Sequence, residues 1–322
     1  MTVQIIFLLI GLAMVVIGAD ILVEGASSIA RRYGVSEFVI GLTIVGFGTS
    51  LPELVVSTTG ALHGSSDIAI GNVVGSNIFN VLFILAISAL FRPIDITREN
   101  RRRDIPITLL VTFLVICMGM SRTLFGLGAV DGLSRIEGAV LLALFIIYMA
   151  FCFISDKPTE PEEGEAGTRK NYAVWMAVVL IAAGLAGLII GGRLFVDSAV
   201  KIAHMLHVSD KFIAITILAM GTSLPEFATS IVALAKHRSQ MALGNILGSN
   251  VFNLLLILGV SSVIAPMSFA DINLVDMAAL ALCSVLIWTS LFTGKRNKID
   301  RFDGVLMLLA FAAYMVWLFI KL

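Results

Sequence analysis

An all-α integral membrane protein of ten transmembrane helices, arranged as two inverted five-helix repeats, is the fold class this 322-residue sequence predicts. Three observations predict it. The chain is 58% hydrophobic and only 14% charged, with a mean hydropathy of +1.00, far outside the range of water-soluble domains. Its apolar runs are long enough to cross ~30 Å of hydrocarbon, which takes about 20 residues as a helix. Finally, a set of polar motifs recurs at a constant offset of 173 positions.

Apolar runs set against polar breaks place helix starts near residues 3, 36, 68, 104, 133, 172, 209, 241, 271 and 301. The first run, "IIFLLIGLAMVVIGADILVEGASSIA", has no basic residue before it and no small-residue cleavage site after it, so it is expected to be retained as a span. The longest break, "SDKPTEPEEGEAGTRKN", is rich in Pro, Glu and Gly and has almost nothing to bury. It reads as a flexible linker, 155–171, between a first repeat at 1–154 and a second at 172–322. Its acidic stretch lacks the ligand spacing of an EF-hand loop. Cys117, Cys152 and Cys283 lie in or beside apolar runs without CxxC spacing, which argues against a disulfide framework and against a metal cluster.

Lys and Arg counted on alternate connections give sixteen on one side and five on the other, with Arg193 inside a span. The positive-inside rule then places the linker in the cytoplasm and both termini outside a cell membrane. The "RENRRR" run, Arg98 to Arg103, is read as serving this topology rather than as a lipid-binding site.

The repeat itself is explicit. "GTSLPE" occupies Gly48 to Glu53 and returns at Gly221 to Glu226, and the same offset aligns "GNVVGSNIFN" at Gly71 with "GNILGSNVFN" at Gly244. A unit with an odd number of helices enters the membrane in the opposite sense on its second pass, giving inverted repeats of the kind met in secondary transporters.

Each copy places a glutamate in a span, at a cost of at least ~2.5 kcal/mol, and such residues normally face an ion path or a polar partner. Thr49, Ser50, Glu53 and Ser57 fall on one helical face, as do Thr222, Ser223, Glu226 and Ser230. Pro52 and Pro225 cannot donate to the carbonyls of Gly48 and Gly221, so a helix break is expected at each motif. Freed carbonyls, hydroxyls and carboxylates are hard oxygen ligands that suit Ca²⁺ or Na⁺ and are poor for Zn²⁺ or Cu⁺. Ser76 with Asn80, and Ser249 with Asn253, add oxygens at i, i+4, while the motif glycines allow close helix approach.

The paired "GTSLPE" and "GNxxGSNxxN" segments resemble the α-repeats of the sodium/calcium exchanger family, within the calcium/cation antiporter superfamily, as found in its prokaryotic members. The resemblance spans both halves. It implies exchange of several Na⁺ for one Ca²⁺ by alternating access at a shared midplane site, with net charge moved. Carried over position by position, Glu53 and Glu226 match the central carboxylates, and Thr49 and Thr222 match residues whose backbone carbonyls coordinate Ca²⁺. Ser50, Ser76, Ser223 and Ser249 match Na⁺ ligands, Ala219 matches a backbone carbonyl contributor, and Asn80 matches a polar pocket residue. Asn253 departs from members that carry Asp there, the K⁺-dependent exchangers among them, so no K⁺ requirement is expected. A Ca²⁺/H⁺ exchanger is the nearest alternative, but that branch resembles "GNxxE" rather than "GTSLPE". The expected partners are Na⁺, Ca²⁺ and membrane lipid, without nucleic acid, a protein partner or a cofactor. Enzymatic activity is not expected, since two glutamates outside a "GxGD" context do not make an aspartyl dyad.

Asp20 and Arg193 also lie in spans and are equivalent positions under the 173 offset, which inversion sends toward opposite membrane faces, so no direct pair between them is expected. They are read as local or interfacial polar residues. His63 and His237 are expected in solvated turns.

Overall fold

The computed structural model describes residues 1–127, 130–156, 172–206, 219–269, 272–293 and 297–321. The expected linker is therefore described only at residues 155–156, and the helix start near 209 falls outside the described residues. The chain divides into two compact units that cut across the sequence halves, one of residues 1–52 and 155–245, the other of residues 53–154 and 246–322.

The first unit is organised by α1 (Thr2–Tyr33) and α7 (Val174–Met205), each of 32 residues. At 1.5 Å per residue such a helix is ~48 Å long, well over the ~30 Å hydrocarbon thickness, which leaves length for tilt or for extension beyond the hydrocarbon. The two run antiparallel along a seam of small residues at steps of seven. A methyl added to Gly11 would meet Gly191 O at 2.8 Å, one on Gly18 would meet Gly184 O at 2.8 Å, and one on Gly25 would meet Ala177 O at 2.9 Å. Only hydrogen side chains allow the backbones this close. Arg31 and Arg32 occupy the last turn of α1, where they complement the helix dipole, and Gly34 closes it at φ 65°.

The same unit holds α2 (Glu37–Thr49), the start of α3 (Leu51–Leu62), α8 (Leu224–Ala235) and the first part of α9 (Ser239–Ile264). A cluster of charges ties α1 to the turn before α9. Lys236 Nζ lies 2.7 Å from Asp20 Oδ1 and 2.8 Å from Glu24 Oε1. Arg238 donates to Val23 O at 3.2 Å and lies 3.6 Å from Glu24. Asp20 thus has a local partner of opposite sign, and Arg193 is exposed.

The second unit contains most of α3, α4 (Ser66–Phe91), α5 (Ile105–Gly119), α6 (Arg135–Ile154), the rest of α9, α10 (Leu274–Thr289) and α11 (Arg301–Lys321). Two small antiparallel ribbons fasten it. Strand β1 (Ile94–Asp95) pairs with β4 (Lys298–Ile299), and β2 (Gly132–Leu133) pairs with β3 (Met267–Ser268). Each ribbon joins one strand from each sequence half. Helix packing repeats the exchange: a methyl on Gly138 would meet Gly259 O at 2.9 Å, and one on Gly304 would meet Ala86 O at 2.8 Å. Ala86 and Gly259 are themselves 173 positions apart.

Among the described residues, six helices are long and apolar enough to cross a membrane, or seven with the bent pair α2 and α3 taken as one span. Helices α8 and α10 are apolar but shorter. Cys152 and Cys283 are buried thiols and Cys117 is half-buried, in keeping with a packing role.

Candidate functional site

The two "GTSLPE" copies break their helices in the same way. Helix α2 ends at Thr49, α3 starts at Leu51, and the pair is bent by 49°. The hinge residue is Ser50, at φ −83° and ψ 5°; its equivalent Ser223, before α8, adopts φ −89° and ψ 8°. The break lies two residues before each proline, as a ring that crowds the preceding turn requires. Pro52 is half-buried and Pro225 buried.

Glu53 and Glu226 are each 1% exposed. In the first unit the two motif copies meet directly: Ser50 Oγ donates to Glu226 Oε1 at 3.1 Å, although the residues are 176 positions apart. Glu226 Oε2 is buried and has no hydrogen-bond partner among the described residues. No Lys or Arg pairs with Glu226 among the described residues. Thr49, 1% exposed, donates to Gly46 O at 3.3 Å and to Asn245 Oδ1 at 3.3 Å. Ser223 is fully buried, Thr222 is half-buried with Oγ1 unpartnered among the described residues, and Ala219 opens the short turn Ala219–Gly221.

In the second unit the "GNxxGSNxxN" copies also meet. Asn80 Nδ2 donates to Asn250 Oδ1 at 3.2 Å. Asn80 begins a wide π-helical turn, Asn80–Leu85, and Asn253 lies in its counterpart, Phe252–Ile257. Such turns widen the helix and expose backbone oxygens, which is why they recur at functional positions. Ser76, Ser249 and Asn253 are all buried; Ser249 Oγ, Asn253 Oδ1 and Asn80 Oδ1 have no partner among the described residues. A buried oxygen without a donor is costly unless a cation or water satisfies it.

Sequence reasoning passed over one pair of residues. Asn72 Nδ2 donates to Glu53 O at 3.2 Å and to Ser57 Oγ at 3.0 Å. Its equivalent Asn245 donates to Glu226 O at 3.2 Å, Thr229 Oγ1 at 2.9 Å and Ser230 Oγ at 3.0 Å. These carboxamides hold the backbone of each glutamate in place, in the same geometry twice. The signal was available in the sequence, since both are the asparagine of the "GN" dipeptide and align under the offset. The motif glycines behave unevenly: Gly244 lies against the Phe38 carbonyl of the broken helix, whereas a methyl on Gly71 or Gly75 meets nothing within 4 Å among the described residues.

Within the first unit the motif residues offer oxygens alone, the Glu226 carboxylate with the Ser50 and Thr49 hydroxyls; within the second, Ser76, Ser249, Asn80 and Asn253 do the same with hydroxyls and carboxamides. No group of three or more His, Cys, Asp or Glu gathers among the described residues. Oxygen-only sets suit hard cations and are poor for Zn²⁺ or Cu⁺. His63 is exposed in a turn and His237 half-buried in one, each removed from the motif residues in sequence.

Comparison with known proteins gives a consistent picture. The family described as "Sodium/calcium exchanger protein" matches residues 3–154 and 176–320. An uncharacterized membrane protein of Methanocaldococcus jannaschii is 38% identical over 302 residues, covering 94% of this chain and 93% of its own length. The sodium/calcium exchanger MaX1 of Methanosarcina acetivorans is 33% identical over 353 residues, covering 99% of both. A solved structure of the sodium-calcium exchanger NCX_Mj, soaked with zero Na⁺ and Ca²⁺, matches with a TM-score of 0.83 at 35% identity, covering 98% of each chain.

Proposed function

Because the chain belongs to the sodium/calcium exchanger family, we propose that it is a cation antiporter that exchanges Na⁺ for Ca²⁺ across a cell membrane by alternating access. The observation that carries this reading is the Ser50–Glu226 hydrogen bond, which brings one motif copy onto the carboxylate of the other. A binding residue drawn from both halves of a duplicated chain suits a site reached from either membrane face in turn.

In this reading the protein has ten spans in two inverted repeats, 1–154 and 172–322, joined by a cytoplasmic linker, with both termini outside. The antiparallel packing of α1 on α7 supports inversion, since these are the first helices of the two repeats. The ribbons support the sidedness: β1 and β4 lie on two Lys/Arg-rich connections, and β2 and β3 on two that are not.

Glu53 and Glu226 supply two negative charges, which balance one Ca²⁺ or two Na⁺. A third Na⁺ leaves one net positive charge to move per cycle, worth ~2.3 kcal/mol across 100 mV. Inward Na⁺ flow then drives Ca²⁺ outward. Ser50, Ser76, Ser223 and Ser249 contribute hydroxyl ligands, Thr49, Thr222 and Ala219 backbone carbonyls, and Asn80 and Asn253 neutral oxygens. Asn253 adds no third charge, so transport proceeds without K⁺.

Ca²⁺ uptake into Na⁺-loaded proteoliposomes tests the proposal, with K⁺ and pH varied independently. Uptake is expected to require the Na⁺ gradient, to persist without K⁺ and to vanish in Glu53→Ala and Glu226→Ala. Uptake driven by a pH gradient alone would identify a proton-coupled exchanger instead.

A further inference from the structure

The basic run that sequence analysis assigns to topology forms, in the second unit, one wall of a cavity of about 530 Å³. Its lining combines Arg98, Arg101 and Arg102 with Trp288, Phe292 and Asn297. We propose that this cavity is a binding site for the phosphate headgroup of an anionic lipid.

Basic charge is in excess. Of the nearby acids, Asp95 pairs with Lys298 at 2.8 Å and Asp104 with Arg103 at 2.8 Å, and Glu99, the one acid inside the run, makes no ion pair among the described residues and leaves three arginines against one carboxylate. No carboxylate lies within ion-pair distance of Arg98, Arg101 or Arg102 among the described residues. Three arginines lining one cavity repel each other, and an anion placed between their guanidinium groups relieves that repulsion.

One of the three is fixed in advance. Arg101 donates through Nη1 to Asn297 Oδ1 at 3.2 Å and through Nη2 to Leu291 O at 3.2 Å, and its guanidinium lies 5.7 Å from the Phe292 ring centre. Asn297 is itself held at φ 65°, a backbone conformation that Asn tolerates, and its carbonyl accepts from Ile96 N at 2.8 Å. The β1–β4 ribbon therefore clamps both sides of the cavity. Arg98 and Arg102 remain exposed and able to turn inward.

The aromatic residues decide between a lipid and a soluble phosphate. Trp288 is 40% exposed and Phe292 65% exposed, and their rings pack edge to face at 5.0 Å. Exposed Trp and Phe beside arginines at the end of an apolar helix are the composition of a membrane interface, where a ring meets the glycerol and upper acyl region while Arg meets the headgroup. A free phosphate would make no use of these rings.

The test is a thermal-shift titration of the purified full-length protein. The probes are short-chain phosphatidylglycerol, short-chain phosphatidylcholine, and inorganic phosphate. Phosphatidylglycerol is expected to stabilise the protein saturably, and the other two to have no effect. In Arg98→Gln/Arg102→Gln, which keeps the structural contacts of Arg101, phosphatidylglycerol binding is expected to weaken about thirtyfold while the melting temperature without lipid stays unchanged. Equal responses to both lipids, or an unchanged affinity in the double variant, would overturn the proposal. Stabilisation by inorganic phosphate equal to that by phosphatidylglycerol would overturn the lipid assignment.

Discussion

Replacing Asn245 by alanine removes the carboxamide that links the Glu226 backbone to its neighbours, and the structure sets the size of the effect. Its Nδ2 contacts Glu226 O, Thr229 Oγ1 and Ser230 Oγ, and its Oδ1 accepts from Thr49 Oγ1. Two amide hydrogens serve three acceptors, so the contacts amount to fewer full hydrogen bonds than they number. Some partners also retain alternatives: Glu226 O still accepts from Thr229 Oγ1 at 3.1 Å, and Thr49 Oγ1 still donates to Gly46 O. With a buried hydrogen bond worth about 1 kcal/mol net and an orphaned polar group costing about 1–3 kcal/mol, Asn245→Ala should destabilise by about 2–3 kcal/mol. Asn72 makes two such bonds and is only half-buried, so Asn72→Ala should cost about 1 kcal/mol. The assay pairs thermal denaturation in detergent with Na⁺-driven Ca²⁺ uptake in proteoliposomes. Both variants should raise the Ca²⁺ concentration for half-maximal uptake, Asn245→Ala by about tenfold if about 1.4 kcal/mol of the loss falls on the bound state. No carboxylate changes, so Na⁺ coupling should survive. Wild-type stability and half-saturation in Asn245→Ala, or a larger effect in Asn72→Ala, would refute the positioning role.

Three further outcomes are expected. Gly18→Ala and Gly184→Ala each place a methyl within 3 Å of backbone atoms of the facing helix, and each should lower stability by about 1–3 kcal/mol in thermal melts, whereas Gly71→Ala, at an exposed position whose methyl meets nothing within 4 Å among the described residues, should be neutral. In the charge cluster, Arg238→Met should cost about 2 kcal/mol, because its side chain is 4% exposed and holds the Val23 carbonyl; Lys236→Met, at a more solvated pair, should cost under about 1 kcal/mol in the same measurement. Asp131, in the loop before α6, accepts from the Thr123 hydroxyl and from the Thr123 and Arg122 amides at 3.0 and 2.8 Å, which hold its carboxyl below the usual range. A depressed folded value means that its contribution is full above the unfolded value near ~4 and fades only as pH falls through the lower folded one. Proteolysis at this loop should therefore be flat from neutral pH down to about 5, with Asp131→Asn cut faster throughout that window.

Much of this protein is legible along the chain. A bilayer constrains composition and length residue by residue, so apolar runs and polar breaks place helix starts close to those observed at Thr2, Glu37, Ser66 and Ile105. Proline chemistry is equally local, which is why the breaks at Ser50 and Ser223 follow from "GTSLPE" alone. The duplication is a relation between letters, and the family resemblance rests on it. Other features depend on which surfaces meet after folding. That Ser50 reaches Glu226 and Asn80 reaches Asn250 are facts of packing between distant segments, and that Asn72 and Asn245 grip the glutamate carbonyls is a fact of packing between consecutive helices.

The arginine run marks the contrast. Its charge and the side of the membrane it favours are additive properties of a stretch of sequence. Its cavity is not, because β1 must first pair with β4 for Arg101 to find Asn297 and Phe292. The sequence by itself determined the solvent, the repeat and the kinds of oxygen the motifs carry; the tertiary structure decided which oxygens face which partner, because side-chain directions converge only when helix seams and ribbons set the backbones a few ångströms apart.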